Sequence, residues 1–173
     1  MAKYTEINAA DIKNNPFQMI GKDWMLVTAK RGEEINTMTA SWGGLGVMWG
    51  KNVAVTVLRP QRYTKEFVDA SERFSLSFYG EEYKQDMTYV GRVSGRDEKD
   101  KISKTSFTPA EIDGVPYFEE ANMVMVCKKL FVQEMDPKGF AAGCEELDAQ
   151  NYPNKDYHFM YVAEIEKVYV KED

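Results

Sequence analysis

Metal-binding residues are scarce in this chain. One histidine, His158, and two cysteines, Cys127 and Cys144, stand among 173 residues. The cysteines show no CxxC spacing, so the usual zinc and iron–sulfur ligand sets cannot be assembled. Long apolar runs are missing too, and none approaches the ~20 residues of a membrane-spanning helix. The opening stretch MAKYTEINAADIKNN lacks an apolar segment and does not read as a signal peptide. These absences predict a cytoplasmic protein with reduced thiols and no membrane partner. Positive charge is also in deficit: 22 basic residues face 28 acidic ones, for a net charge of -6. Bulk nucleic-acid binding needs a basic face, so that class is disfavoured, while a local basic pocket is not.

What is present is core material. The composition is 43% hydrophobic and 13% aromatic, and the length suits one domain over residues 1–173. Tyr4 to Pro16 reads as an arm with a short helical turn, which Asp11 caps and Pro16 interrupts. Six strands are predicted, over 24–30, 35–41, 53–58, 73–79, 121–134 and 157–170, from β-branched content, alternation and flanking turn residues. Helices are predicted after the third strand, from Thr64, and after the fourth, over 82–90. Antiparallel neighbours with few helical crossovers point to a mainly β, α+β fold built on a small barrel.

The densest chemistry lies between Asn36 and Thr64. Asn36-Thr37-Met38-Thr39-Ala40-Ser41 is a hydroxyl-rich strand leading into Trp42. Alternation puts Thr37, Thr39 and Ser41 on one face, which suits either an exposed edge or a ligand wall. Gly44 to Gly50 mimics a dinucleotide-binding glycine fingerprint. That motif must open a helix, and here another strand follows, so the glycines are read as a loop. Val53 to Leu58 then ends on Arg59-Pro60-Gln61-Arg62-Tyr63-Thr64. Two arginines beside a helix start favour a phosphate, or else they pair with Glu66 and Asp69. Downstream, Ser94, Arg96 and Lys101 belong either to a solvated loop or to the same phosphate site. His158, alone in its strand, is either a packed residue or a ligand contact.

These motifs resemble the flavin reductase-like family, whose fold is the FMN-binding split barrel of Greek-key type. NTMTASWGGLG, RPQRYT, Ser94-Gly95-Arg96-Asp97 with Lys101, and the strand from His158 to Ile165 carry the resemblance. Ala163 stands where the family commonly has Gly. The resemblance implies a homodimer with FMN near the subunit interface and NAD(P)H as co-substrate. It implies that Asn36, Thr37, Met38, Thr39, Ala40, Ser41 and Trp42 line the ring and ribityl chain. It makes Arg59, Arg62, Tyr63, Thr64, Ser94, Arg96 and Lys101 the phosphate and ribityl candidates, and His158 a flavin or nicotinamide contact. Two functions follow: an NAD(P)H-dependent flavin reductase, or a flavoredoxin-like carrier that passes electrons from FMN to a protein partner. A binding module without turnover is a third.

Overall fold

The structure is a computed structural model and describes residues 3–172. Its strands, in chain order, begin with β1 (Tyr4–Ile7). A short helix α1 (Pro16–Gln18) follows. Then come β2 (Met25–Arg31), β3 (Glu34–Ala40), β4 (Gly43–Met48) and β5 (Lys51–Leu58). Helix α2 (Tyr63–Ala70), strand β6 (Arg73–Phe78) and helix α3 (Lys84–Arg92) lead to the hairpin of β7 (Pro109–Ile112) and β8 (Val115–Phe118). The chain finishes with β9 (Met123–Glu134), helix α4 (Glu145–Asn151) and β10 (Phe159–Lys171).

The main sheet runs β3-β2-β6-β9-β10-β5-β4, with β1 paired to the far half of β10. Every pairing is antiparallel. The two ends of this order, β3 and β4, are consecutive in the chain and joined only by Ser41 and Trp42. Three Cα steps span at most about 11 Å, so the sheet must curl until its edges nearly meet. Among the described residues β3 pairs only with β2, and β4 only with β5, so the curl ends in an open seam. This is a split barrel.

The corner has a strict requirement. Gly43 sits at φ 142°, and a Cβ there would lie 2.1 Å from the Val55 carbonyl oxygen. Only glycine lets β4 pack this closely against β5.

Burial explains why the alternation in the sequence is blurred. β2 is buried on both faces. Val27 and Ala29 join one core with Met38, Leu76, Met125 and Tyr161, and Leu26 joins a second with Met87, Val90, Phe107 and Phe118. The second core lies under α3 and the β7–β8 hairpin. A strand covered twice carries no period of two.

Several expectations are corrected. The glycine stretch 44–50 is mostly a strand, β4, with the turn at Trp49 and Gly50. Its three glycines had hidden its alternation. β1, β7 and β8 are too short, at four residues each, to stand out. Helix α4 was not among the helices predicted from the sequence. In the arm, Asn8 rather than Asp11 caps the turn, and Pro16 opens a helix instead of interrupting one. Thr64 is the second residue of α2; the N-cap is Arg62, and no side chain caps the helix.

Candidate functional site

The seam opens into two adjoining lobes. A flat lobe of about 250 Å³ is walled by Met38 to Trp42, Val57, Arg59, Arg62 and His158. A second lobe of about 180 Å³ is walled by Asn36, Met38, Gln61 to Thr64, Gly91 to Gly95 and Lys101. Met38 and Arg62 line both, so the two form one groove along β3. A third, more apolar hollow lies beyond Trp42, against Phe17 and Ile20.

β3 meets the groove in a way its sequence did not suggest. The hydroxyls of Thr37 and Thr39 are bonded within the protein rather than offered to the groove. Thr37 Oγ1 lies 2.9 Å from Thr28 Oγ1 and also donates to the Val27 carbonyl, and Thr39 Oγ1 donates to the Met87 carbonyl of α3. Helix α3 packs over that face and takes the Thr39 hydroxyl, while β2 takes that of Thr37. β3 offers the groove its unpaired backbone edge and the side chains of Asn36 and Met38.

The second lobe is built around unmatched polarity. Asn36 is buried, and its Nδ2 has no hydrogen-bond partner among the described residues. Such a donor normally finds an acceptor. Gly95 packs so near that a Cβ there would lie 2.7 Å from Asn36 Oδ1. Arg62 makes no side-chain hydrogen bond or ion pair among the described residues, and burial lowers its pKa. No side chain caps the start of α2, and Tyr63 and Thr64 at that start line this lobe. Lys101 is buried behind it, with Nζ 2.7 Å from the Thr37 carbonyl, 3.1 Å from Val90 and 2.9 Å from Val93. Burial, and then the charge of Arg62, pull the Lys101 pKa down to about 8. Among the described residues, Arg62, Lys101 and Arg92 are the cations that line the lobe, and no carboxylate does.

The flat lobe is balanced. Arg59 pairs with Asp156 at 2.9 Å, donates to the Asn151 carbonyl at 2.9 Å, and lies over the Tyr152 ring. His158 is buried, with Nδ1 2.8 Å from the Tyr152 hydroxyl and its ring centroid 5.1 Å from that of Trp42. Burial, reinforced by Arg59, lowers its pKa to about 4. At neutral pH this lobe therefore carries no free cation apart from the shared Arg62.

Of the fifteen residues singled out in the sequence, the groove gathers Asn36, Met38 to Trp42, Arg59, Arg62 to Thr64, Ser94, Lys101 and His158. Thr37 contributes its carbonyl to Lys101 and turns its side chain away. Arg96 lies outside both lobes, ion-paired to Glu66 and 4.9 Å from the Tyr63 ring centroid. Sequence reasoning missed Gln61, Val57, Gly91, Arg92, Val93, Gly95 and Tyr152. Gly91 and Gly95 carried a signal, as glycines flanking a basic segment; Tyr152 carried none.

Residues 19–173 match the family model described as "Flavin reductase like domain", and the chain belongs to that family. Its fold is shared by solved structures of low identity. An FMN-binding domain of a flavin reductases-like enzyme from Shewanella baltica superposes with TM-score 0.70 at 17% identity, over 98% of this chain and 78% of that one. Flavoredoxin from Methanosarcina acetivorans gives 0.66 at 18% identity, over 99% and 77%. Flavoredoxin from Desulfovibrio vulgaris gives 0.63 at 23% identity, over 86% and 69%. No curated protein matches the sequence. Among the described residues no helix is long and apolar enough to cross a membrane.

Proposed function

We propose that the groove binds FMN and that the protein is a flavin oxidoreductase taking hydride from NAD(P)H. The observation that carries this reading is the division of charge. A dianionic phosphate suits the lobe with Arg62, Lys101, Arg92 and no carboxylate, and a flat uncharged ring suits the balanced lobe beside Trp42 and His158. The residues fit the group: the orphaned Asn36 Nδ2, the uncapped amides of α2 and the unpaired fork of Arg62 all await acceptors. Bound there, FMN would supply the two-electron redox chemistry. The chain's own work is to bind and orient. Arg62 and the α2 amides hold the anionic end, Asn36 and Ser94 meet the polar chain, and the β3 edge fixes the ring. Trp42 is 46% exposed and leaves one side of the flat lobe open to a second molecule.

Stopped-flow mixing of FMN-loaded protein with NADH or NADPH under anaerobic conditions tests the reading. Rapid flavin bleaching is expected. A colour that bleaches only with a reduced protein partner would replace the reductase with a flavoredoxin-like carrier, for which the net charge of -6 favours a basic partner. No affinity for FMN would sink both. A homodimer is also part of the proposal. Val47, Met48 and Trp49 beside Phe131 and Val132 expose apolar surface, with Trp49 and Phe131 ring centroids 6.2 Å apart. Light scattering should give about twice the 19.9 kDa chain mass. Buried Cys127 and unpaired Cys144 fit a reducing, cytoplasmic setting.

A further inference from the structure

Tyr152 has a place in the site that its sequence position did not reveal. It follows α4, and its amide donates to the Asp148 carbonyl at 2.8 Å. Its ring stacks near Tyr157, with centroids 4.8 Å apart, and carries the Arg59 guanidinium 5.1 Å from its centroid. The hydroxyl is thereby held 2.8 Å from His158 Nδ1 and 3.5 Å from Met135 Sδ. A phenol has one proton to give. A thioether is a weak acceptor and an imidazole nitrogen a strong one. A phenol that donates to Nδ1 places the ring's own proton on Nε2. Among the described residues Nε2 finds no partner in the protein, and His158 lines the flat lobe. The charged groups around the imidazole are Arg59 and Asp156, already paired with each other, and Arg62 across the same lobe.

We propose that Tyr152 is a positioning residue whose hydroxyl holds His158 as the neutral Nε2–H tautomer, and that His158 offers this N–H to an uncharged carbonyl oxygen in the flat lobe. A flavin ring and a nicotinamide carboxamide both carry such an oxygen. The donor half rests on the function proposed above, and the tautomer half does not. An anion gains less here than in the neighbouring lobe, because the imidazole brings a dipole and no charge.

The chain has a single histidine, so one ¹⁵N-histidine label reads the site without assignment. At neutral pH the wild-type spectrum should show a pyridine-type Nδ1 and a pyrrole-type Nε2. Tyr152→Phe keeps the ring stack and removes the proton donor; both nitrogen signals should move toward an average of the two tautomers. Met135→Leu removes the competing acceptor and should leave the signals where they are. A pyrrole-type Nδ1 in the wild type overturns the assignment, whether or not the variant folds, and so does an unchanged spectrum in a folded Tyr152→Phe. For the donor half, FMN is added first and oxidised nicotinamide mononucleotide second. A downfield move of the Nε2 proton with FMN alone identifies a flavin carbonyl, and a move only at the second step identifies the carboxamide. No move at either step overturns the donor role. Failure of FMN to bind, seen by fluorescence, withdraws that role together with the function and leaves the tautomer standing.

Discussion

The two lobes of the groove share Met38 and Arg62 yet treat charge in opposite ways. In the flat lobe every cation but Arg62 is answered: Arg59 by Asp156, and His158 by losing its proton. In the other lobe Lys101 is buried and Arg62 half-buried, with no carboxylate on the wall among the described residues. Burying uncompensated charge is costly unless a counter-charge arrives. The comparison teaches that the number of arginines near a site says little about where an anion goes. What decides is which arginines remain unpaired once the chain has folded.

Both lobes can be broken together, and that is the largest effect expected. Gly43→Ala should cost roughly 3 kcal/mol or more, because it adds a clash with the Val55 carbonyl to a φ of 142°. Gly44→Ala, with open space around its Cβ position, should cost far less. Urea melts compare the two. Equal stability would show that the β3–β4 corner tolerates a side chain, and the close approach of the seam would have to be redrawn.

Next comes the division between the lobes. Arg62→Ala should weaken FMN by about 100-fold, since charge-assisted bonds to a phosphate are worth roughly 1.5–3 kcal/mol. Riboflavin, lacking the phosphate, should lose only a few-fold. Arg59→Ala should weaken both ligands alike, because it removes a clamp on Asp156, Asn151 and Tyr152 rather than a phosphate contact. Fluorescence titration of the two flavins measures all four constants. A phosphate-selective loss in Arg59→Ala would exchange the roles of the lobes.

A smaller effect is set by pH. The Lys101 pKa is about 8 in the fold, against the ordinary 10.5. Between these values the unfolded chain binds the proton and the folded chain does not. By linkage, the contribution of Lys101 to stability rises with pH across that window. Affinity for FMN moves the other way, falling as pH passes about 8 and the lobe loses a cation, while riboflavin affinity stays level. Urea melts and FMN titrations over the window, on the wild type and Lys101→Met, separate the trends. A wild-type FMN profile flat through this range would place the Lys101 charge outside the phosphate's reach.

Much of this was legible in the residues themselves, and the failures share a cause. The strands that hold the site, β2, β3, β5 and β10, were placed to within a few residues, because β-branched runs report burial directly. The residues of the family motifs come together along one groove. The hydroxyl stripe on β3 misled because alternation tells which side chains share a face, not what covers it. Here α3, distant in sequence, takes Thr39 through the Met87 carbonyl. Arg59 and Arg62 looked equivalent at a spacing of three, and only Asp156, almost a hundred residues on, tells them apart. Tyr152 was invisible for the same reason. Contacts of long sequence separation are fixed by topology, and a local pattern does not encode them.

Arg96 gives the finest test of the comparison, because unlike Arg62 it lies outside both lobes and has found a partner. Its guanidinium pairs with Glu66, rests 4.9 Å from the Tyr63 ring centroid and is about half exposed. An exposed pair of this kind gives its cation little reach into a neighbouring pocket. Glu66 is also held by Arg31 at 3.2 Å, so removing Arg96 does not release a bare carboxylate toward the phosphate lobe. Arg96→Ala should therefore change FMN affinity by less than about 2-fold, within the range of a surface pair, and leave the ratio of FMN to riboflavin affinity where it was. If that ratio instead fell as it should in Arg62→Ala, Arg96 would be swinging away from Glu66 onto the phosphate. Pairing in the folded chain would then no longer decide which arginine meets the anion.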